Sequence, residues 1–177
     1  MATVKLLSVD DEEQIEFLMK QFFRRKIRSG EYEFFFAHNG VEGLKVLQEH
    51  PDIEIILCDI NMPVMDGIKL LEELQKEKIQ TTIIMVSTLT TAEADVTIRA
   101  MELGATDFVT KPENVMEAKG RDFSDHLLTM LSAVLHSANY KRAFMTPKVE
   151  KVEKTGGAAS HLEGEKTSGK ISAAKGS

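Results

Sequence analysis

Acids, a hydroxyl and an ammonium stand at Asp10-Asp11, Asp59, Ser87 and Lys111, residue types that together could act on a phosphoryl group. Three carboxylates gathered in one crevice repel one another and need a cation. Magnesium suits them, because it prefers hard oxygen ligands, takes one or two carboxylates from protein, and leaves positions for water and phosphate oxygens. The Ser87 hydroxyl could donate to one phosphoryl oxygen and the Lys111 ammonium could pair with another. Taken singly, each residue also has a plainer reading. Asp11 could cap a helix and Asp10 could sit in a solvated turn. Asp59 could be a loop acid ahead of Asn61-Met62-Pro63. Ser87 could open a helix with Thr88, Thr90 and Thr91, and Lys111 could be an ordinary exposed lysine. Their shared placement, each just after an apolar run, favours chemistry.

Those runs are the elements that must position them. Segments 4–9, 32–37, 53–58, 82–86 and 106–109 are short and apolar and predict five strands. Between them, apolar residues recur at helical spacing: Ile15, Leu18, Met19, Phe22 and Phe23; Val41, Leu44 and Leu47; Ile68, Leu71 and Leu74; Ala94, Ile98 and Met101. A fifth helix is expected from Phe123, Leu127, Met130, Leu131, Val134, Leu135 and Ala138. Asp122 or Ser124 would be its cap, and Gly120 blurs its start. Segment 53–58 is apolar at five of six positions, as suits a strand buried on both faces of a parallel sheet. Strict alternation of strand and helix predicts an α/β fold, a flavodoxin-like doubly wound five-stranded parallel sheet of order 2-1-3-4-5 with five helices. Ligands of such sheets lie beyond the carboxyl ends of the strands, where the chemical residues fall.

Composition narrows the function. The 177 residues are 42% hydrophobic and 28% charged, a balance that supports a packed core. The net charge of -6, with no basic block, argues against unaided binding to nucleic acid or to an anionic membrane. No run is long enough to span a bilayer, and the N-terminus lacks a secretory apolar region. The single cysteine, Cys58, lies in an apolar run and reads as a small buried hydrophobe in a reducing compartment, so a cytoplasmic location is expected. Past Thr146-Pro147 the texture changes: five of the eleven glycines fall in 147–177, with six Lys against four Glu. We expect one domain over 1–146 and a flexible tail or linker over 147–177. The histidines have no metal-ligand spacing.

Val9-Asp10-Asp11, the stretch Cys58-Asp59-Ile60-Asn61-Met62-Pro63-Val64-Met65-Asp66-Gly67, and Thr110-Lys111-Pro112 together resemble the receiver domains of two-component response regulators. The match runs roughly from Val4 to Ala138. The resemblance implies phosphorylation of Asp59 by a histidine kinase or phosphotransfer protein with Mg2+. Asp11, Asp59 and the backbone carbonyl of Asn61 would be metal ligands, with Asp10 holding metal-bound water. It implies that Lys111 and Ser87 contact the phosphoryl group, that Ser87 and Phe108 form the switch, and that the Lys111-Pro112 bond is cis. Burial statistics alone read Phe108 as core. The stretch from Met85 to Pro112 is most similar to receivers of chemotaxis protein-glutamate methylesterases. The Gly-x-Ser-x-Gly elbow and the length of their catalytic domain are not found in these 177 residues, so no separate enzyme is expected here. The expected role is a phosphorylation-switched, protein-binding module with an unidentified output protein, monomeric or weakly dimeric. The alternatives are a regulatory fragment of a larger response regulator, such as a methylesterase, and a phosphate sink or scaffold.

Overall fold

A computed structural model describes residues 2–88, 94–112 and 121–145. The chain divides into a unit Met1–Phe144, which holds the sheet and its helices, and a unit Met145–Ser177. The expected tail and Gly120 lie outside the described residues.

The five strands are β1 (Val4–Val9), β2 (Tyr32–Ala37), β3 (Ile55–Cys58), β4 (Thr82–Ser87) and β5 (Asp107–Thr110). All pairings are parallel and the order is β2-β1-β3-β4-β5, as the alternating pattern predicts. The strand order reverses between β1 and β3, so a crevice opens where their carboxyl ends diverge. β3 begins at Ile55 rather than at residue 53. The Glu54 N–H still donates to the Lys5 carbonyl, and Ile53 is buried, so the apolar run begins before regular pairing does.

The helices are α1 (Glu13–Phe22), α2 (Arg24–Arg28), α3 (Gly40–Glu49), α4 (Gly67–Lys76), α5 (Ala94–Glu102) and α6 (Arg121–Met145). The first helical segment is two helices rather than one. It breaks at Phe23, whose φ of -96° and ψ of 9° leave the helical region while its ring stays buried against Phe34. The expected cap of the last helix is also corrected. Asp122 and Ser124 lie inside α6, which begins before its first apolar residue.

Period-two alternation along the strands builds two apolar layers. Leu7, Val9, Ile56, Cys58, Ile83 and Met85 face α3, α4 and α5. Leu6, Ile55, Leu57, Ile84, Val86 and Val109 face α1 and α6. Leu70, Leu71 and Leu74 of α4 are fully buried, each contributing about 2 kcal/mol by removal from water. Two helices are aimed by their caps. The Asn39 side chain accepts from the Glu42 N–H while the Glu42 carboxylate accepts from the His38 N–H, and Asp66 accepts from the Lys69 N–H.

Candidate functional site

Asp10, Asp59, Ser87 and Lys111 sit at or one step past the end of a strand, where main-chain hydrogen bonds fix them, and Asp11 follows Asp10. The Asp10 N–H donates to the Ala37 carbonyl, the Asp59 N–H to the Val9 carbonyl, and the Lys111 N–H to the Ser87 carbonyl, each at 2.9 Å. These bonds continue the sheet ladder, so the side chains are carried by the sheet rather than by free loops. Beneath Asp59 the chain turns closely. The Gly67 N–H donates to the Ile60 carbonyl at 2.8 Å, and a methyl group on Gly67 would lie 2.3 Å from the Asp59 carbonyl oxygen. Only glycine permits that approach. The adjoining Val64 has φ 67°, strained for a β-branched residue, and the Met65 N–H closes the turn onto the Pro63 carbonyl at 2.7 Å.

The structure brings the expected residues together. Carboxylate oxygens of Asp10, Asp11 and Asp59 lie within 4.8 Å of one another, Asp10 and Asp59 buried and Asp11 exposed. Lys111 is 3% exposed, so its reading as an ordinary surface lysine fails. Its ammonium lies 2.7 Å from Asp10 Oδ2, 2.8 Å from Glu12 Oε1 and 3.2 Å from Asp59 Oδ2. The turn reading of Asp10 is partly right, since its Oδ1 accepts from the Glu12 N–H at 2.9 Å while its other oxygen takes Lys111. Asp11 is not the helix cap; that position belongs to Glu12, whose side chain makes no capping bond. Ser87 closes β4 fully buried, and its Oγ has no hydrogen-bond partner among the described residues. Asn61 is exposed just beyond Asp59, and Phe108 is half-buried on β5 against the α3–α5 layer.

Electrostatics follow from one ammonium serving several carboxylates. Burial raises the Asp10 pKa from 3.8 to about 6, against the opposing pull of Lys111. Asp59 is raised in the same way, by burial first, despite Lys111 and the N–H groups of Ile60 and Asn61. Burial disfavours the Lys111 charge, yet Asp10, Glu12 and Asp59 outweigh it and hold the lysine above its ordinary value. The directions agree: the cation has partners in excess, and each buried acid has too little cation. A divalent ion would supply what is missing, so the donor set fits Mg2+. Cys58 precedes the site from the buried side. Its thiol donates to the Asp59 carbonyl at 3.1 Å, and burial pushes its pKa far up, with the Asp59 and Asp10 charges adding to the effect.

Sequence reasoning missed Glu12 and the role of Gly67. The Glu12–Lys111 pair joins residues 99 apart, a distance no local pattern reports.

The response regulator receiver domain family matches residues 6–120. The chain belongs to that family. A protein-glutamate methylesterase/protein-glutamine glutaminase of Carboxydothermus hydrogenoformans is 34% identical over 161 residues, covering 88% of this chain and 44% of that protein. One from Rhodospirillum rubrum is 39% identical over 97 residues, covering 54% of this chain and 25% of that protein. This receiver-family chain thus spans less than half the length of these curated relatives. Among solved structures, the response regulator domain of Thermotoga maritima CheB is 30% identical with a TM-score of 0.64, covering 76% of this chain and 97% of that one. The signal receiver domain of a LuxO repressor protein from Vibrio parahaemolyticus, at 22% identity and a TM-score of 0.67, covers 82% of this chain and 99% of that one and shares the fold. The receiver family, two-component signalling and the likeness to chemotaxis methylesterases agree with the motif resemblance. No described helix is long and apolar enough to cross a membrane.

Proposed function

We propose that this receiver accepts a phosphoryl group on Asp59 from a histidine kinase or phosphotransfer protein. The reading rests on one observation, the convergence of Asp10, Asp11, Asp59 and Lys111 at the carboxyl ends of β1, β3 and β5. An Asp59 carboxylate oxygen attacks phosphorus in line as the bond to the donor breaks, and the leaving group departs with the electron pair. Asp10, Asp11, Asp59 and the Asn61 carbonyl would hold Mg2+, which supplies the positive charge that the carboxylates and the transferring phosphoryl group share. Lys111, already beside Asp59, donates to one phosphoryl oxygen. Ser87 Oγ, buried without a partner among the described residues, donates to another, and Phe108 turns inward behind it. Ser87 and Phe108 pass the change to the α5–β5–α6 face, where an output protein binds.

Incubating the full chain with Mg2+ and acetyl phosphate and weighing the intact protein tests this. One added phosphoryl group is expected on the wild type and none on Asp59→Asn; equal labelling of the two overturns the reading.

A second reading follows from the partial coverage of the methylesterase relatives. Here residues 1–146 are the regulatory domain of a larger cytoplasmic chemotaxis enzyme and 147–177 begin the linker. The coding sequence beyond Ser177 decides it: an in-frame esterase domain supports this reading, and an immediate stop removes it.

A further inference from the structure

We propose that Glu12 is a positioning residue that occupies Lys111 in the resting state and must release it when Asp59 is phosphorylated; this rests on the reading of Asp59 as phosphoacceptor. A lysine ammonium has three N–H donors. Here the three face Asp10 at 2.7 Å, Glu12 at 2.8 Å and Asp59 at 3.2 Å, so the phosphoacceptor makes the longest contact. For Lys111 to donate to a phosphoryl oxygen, a present partner must give way.

The three partners are not equal in what they lose. Asp10 is buried, and both of its oxygens are engaged, one by Lys111 and one by the Glu12 N–H. Stripped of the ammonium, its buried charge would keep only the Glu12 N–H among its present partners. Asp59 is the group being modified. The Glu12 side chain is 49% exposed and reaches inward from the rim, so water receives its carboxylate once it lets go. Glu12 is therefore the partner that yields. Its main chain stays fixed by the Asp10 side chain, which keeps the carboxylate close enough to recapture Lys111 after the phosphoryl group leaves. A contact present in the resting state and absent from the phosphorylated one opposes phosphorylation.

Replacing Glu12 by Gln keeps the shape and removes the charge. In the full chain with Mg2+ and acetyl phosphate, an oxygen of Asp59 gains phosphorus as the phosphorus–acetate bond breaks and acetate leaves. We expect Glu12→Gln to raise the labelling rate at saturating donor about fivefold, the worth of one half-exposed charged contact, without changing the half-saturating donor concentration. In the metal-free protein, the 15N ammonium signal of Lys111 should exchange with water severalfold faster. Glu13, exposed and not among the carboxylates paired with Lys111, is the control for through-space repulsion of the anionic donor. Glu13→Gln should label as the wild type does. A labelled wild type with Glu12→Gln within twofold of it, an unchanged Lys111 signal, or Glu13→Gln matching Glu12→Gln overturns the proposal alone. A wild type that takes no label overturns the phosphoacceptor reading and the proposal together.

Discussion

Two glycines, each the first residue of a helix behind an Asx cap, offer a matched experiment on how the phosphoacceptor is seated. Gly67 opens α4 after Asp66, and Gly40 opens α3 after Asn39. Alanine at either gains the same small helix propensity, so that contribution cancels between them. At Gly67 the new methyl would meet the Asp59 carbonyl oxygen at 2.3 Å and Ile60 Cα at 3.0 Å, all backbone. At Gly40 it would meet Met65 Cγ at 2.6 Å, Sδ at 2.8 Å and Cβ at 3.0 Å, all of one side chain whose two shortest contacts are moved by its rotors. Backbone under Asp59 must shift to relieve the first overlap, while a change of rotamer relieves the two shortest contacts of the second and leaves Met65 Cβ at 3.0 Å. We expect Gly67→Ala to cost about 3 kcal/mol, the upper end of overpacking, and Gly40→Ala to stay within about 1 kcal/mol of the wild type. In thermal denaturation at equal buffer and Mg2+, this separates the two Tm values by roughly 6 to 9 °C. Gly67→Ala should also label slowly with acetyl phosphate, because the carboxylate moves with its main chain. Variants within about 0.5 kcal/mol of each other would refute the claim that close backbone approach holds Asp59 in place.

Three further outcomes are expected. With its folded-state pKa raised from 3.8 to about 6, Asp10 holds a proton more tightly in the fold than in the unfolded chain, so stability in EDTA should fall as pH rises from about 4 to 6, by up to about 3 kcal/mol. Urea titrations should show that slope flattened in Asp10→Asn, and saturating Mg2+ should reverse it by binding the ionised form. Lys111→Met leaves Asp10 and Asp59 buried without their cation; a loss of about 3 kcal/mol at pH 7, partly recovered near pH 5, is expected in the same titrations. Ser87→Ala removes a buried hydroxyl with no partner among the described residues and should stabilise the unphosphorylated protein by about 1 kcal/mol while shortening the phosphoryl lifetime, read by denaturation and by decay of the labelled mass.

The sheet was legible in the sequence because its strands carry dense apolar runs, and β3 reads as central because it is buried on both faces. Asp10, Asp59, Ser87 and Lys111 were legible because strand ends are where a parallel sheet presents chemistry. The break at Phe23 was not, since an apolar residue at the expected spacing gives no sign that its φ and ψ leave the helix. Neither was the early start of α6, where apolar periodicity marks the buried face but not the first turn. Glu12 escaped for a third reason: an acid at a helix start has a sufficient local explanation, and its true partner arrives only when β5 docks.

Cys58 gives the fold its own reporter. Its thiol is sealed one residue before Asp59, bonded to that residue's carbonyl and held protonated. An alkylating reagent can reach it only while the central strand is transiently exposed, so modification counts openings rather than surface accidents. When the sheet recloses faster than the reagent reacts, the rate ratio against a free thiol gives the free energy of opening at the phosphoacceptor's own strand. Repeating that measurement with metal and with the phosphoryl group would express signalling as a change in how often the middle of the sheet comes apart.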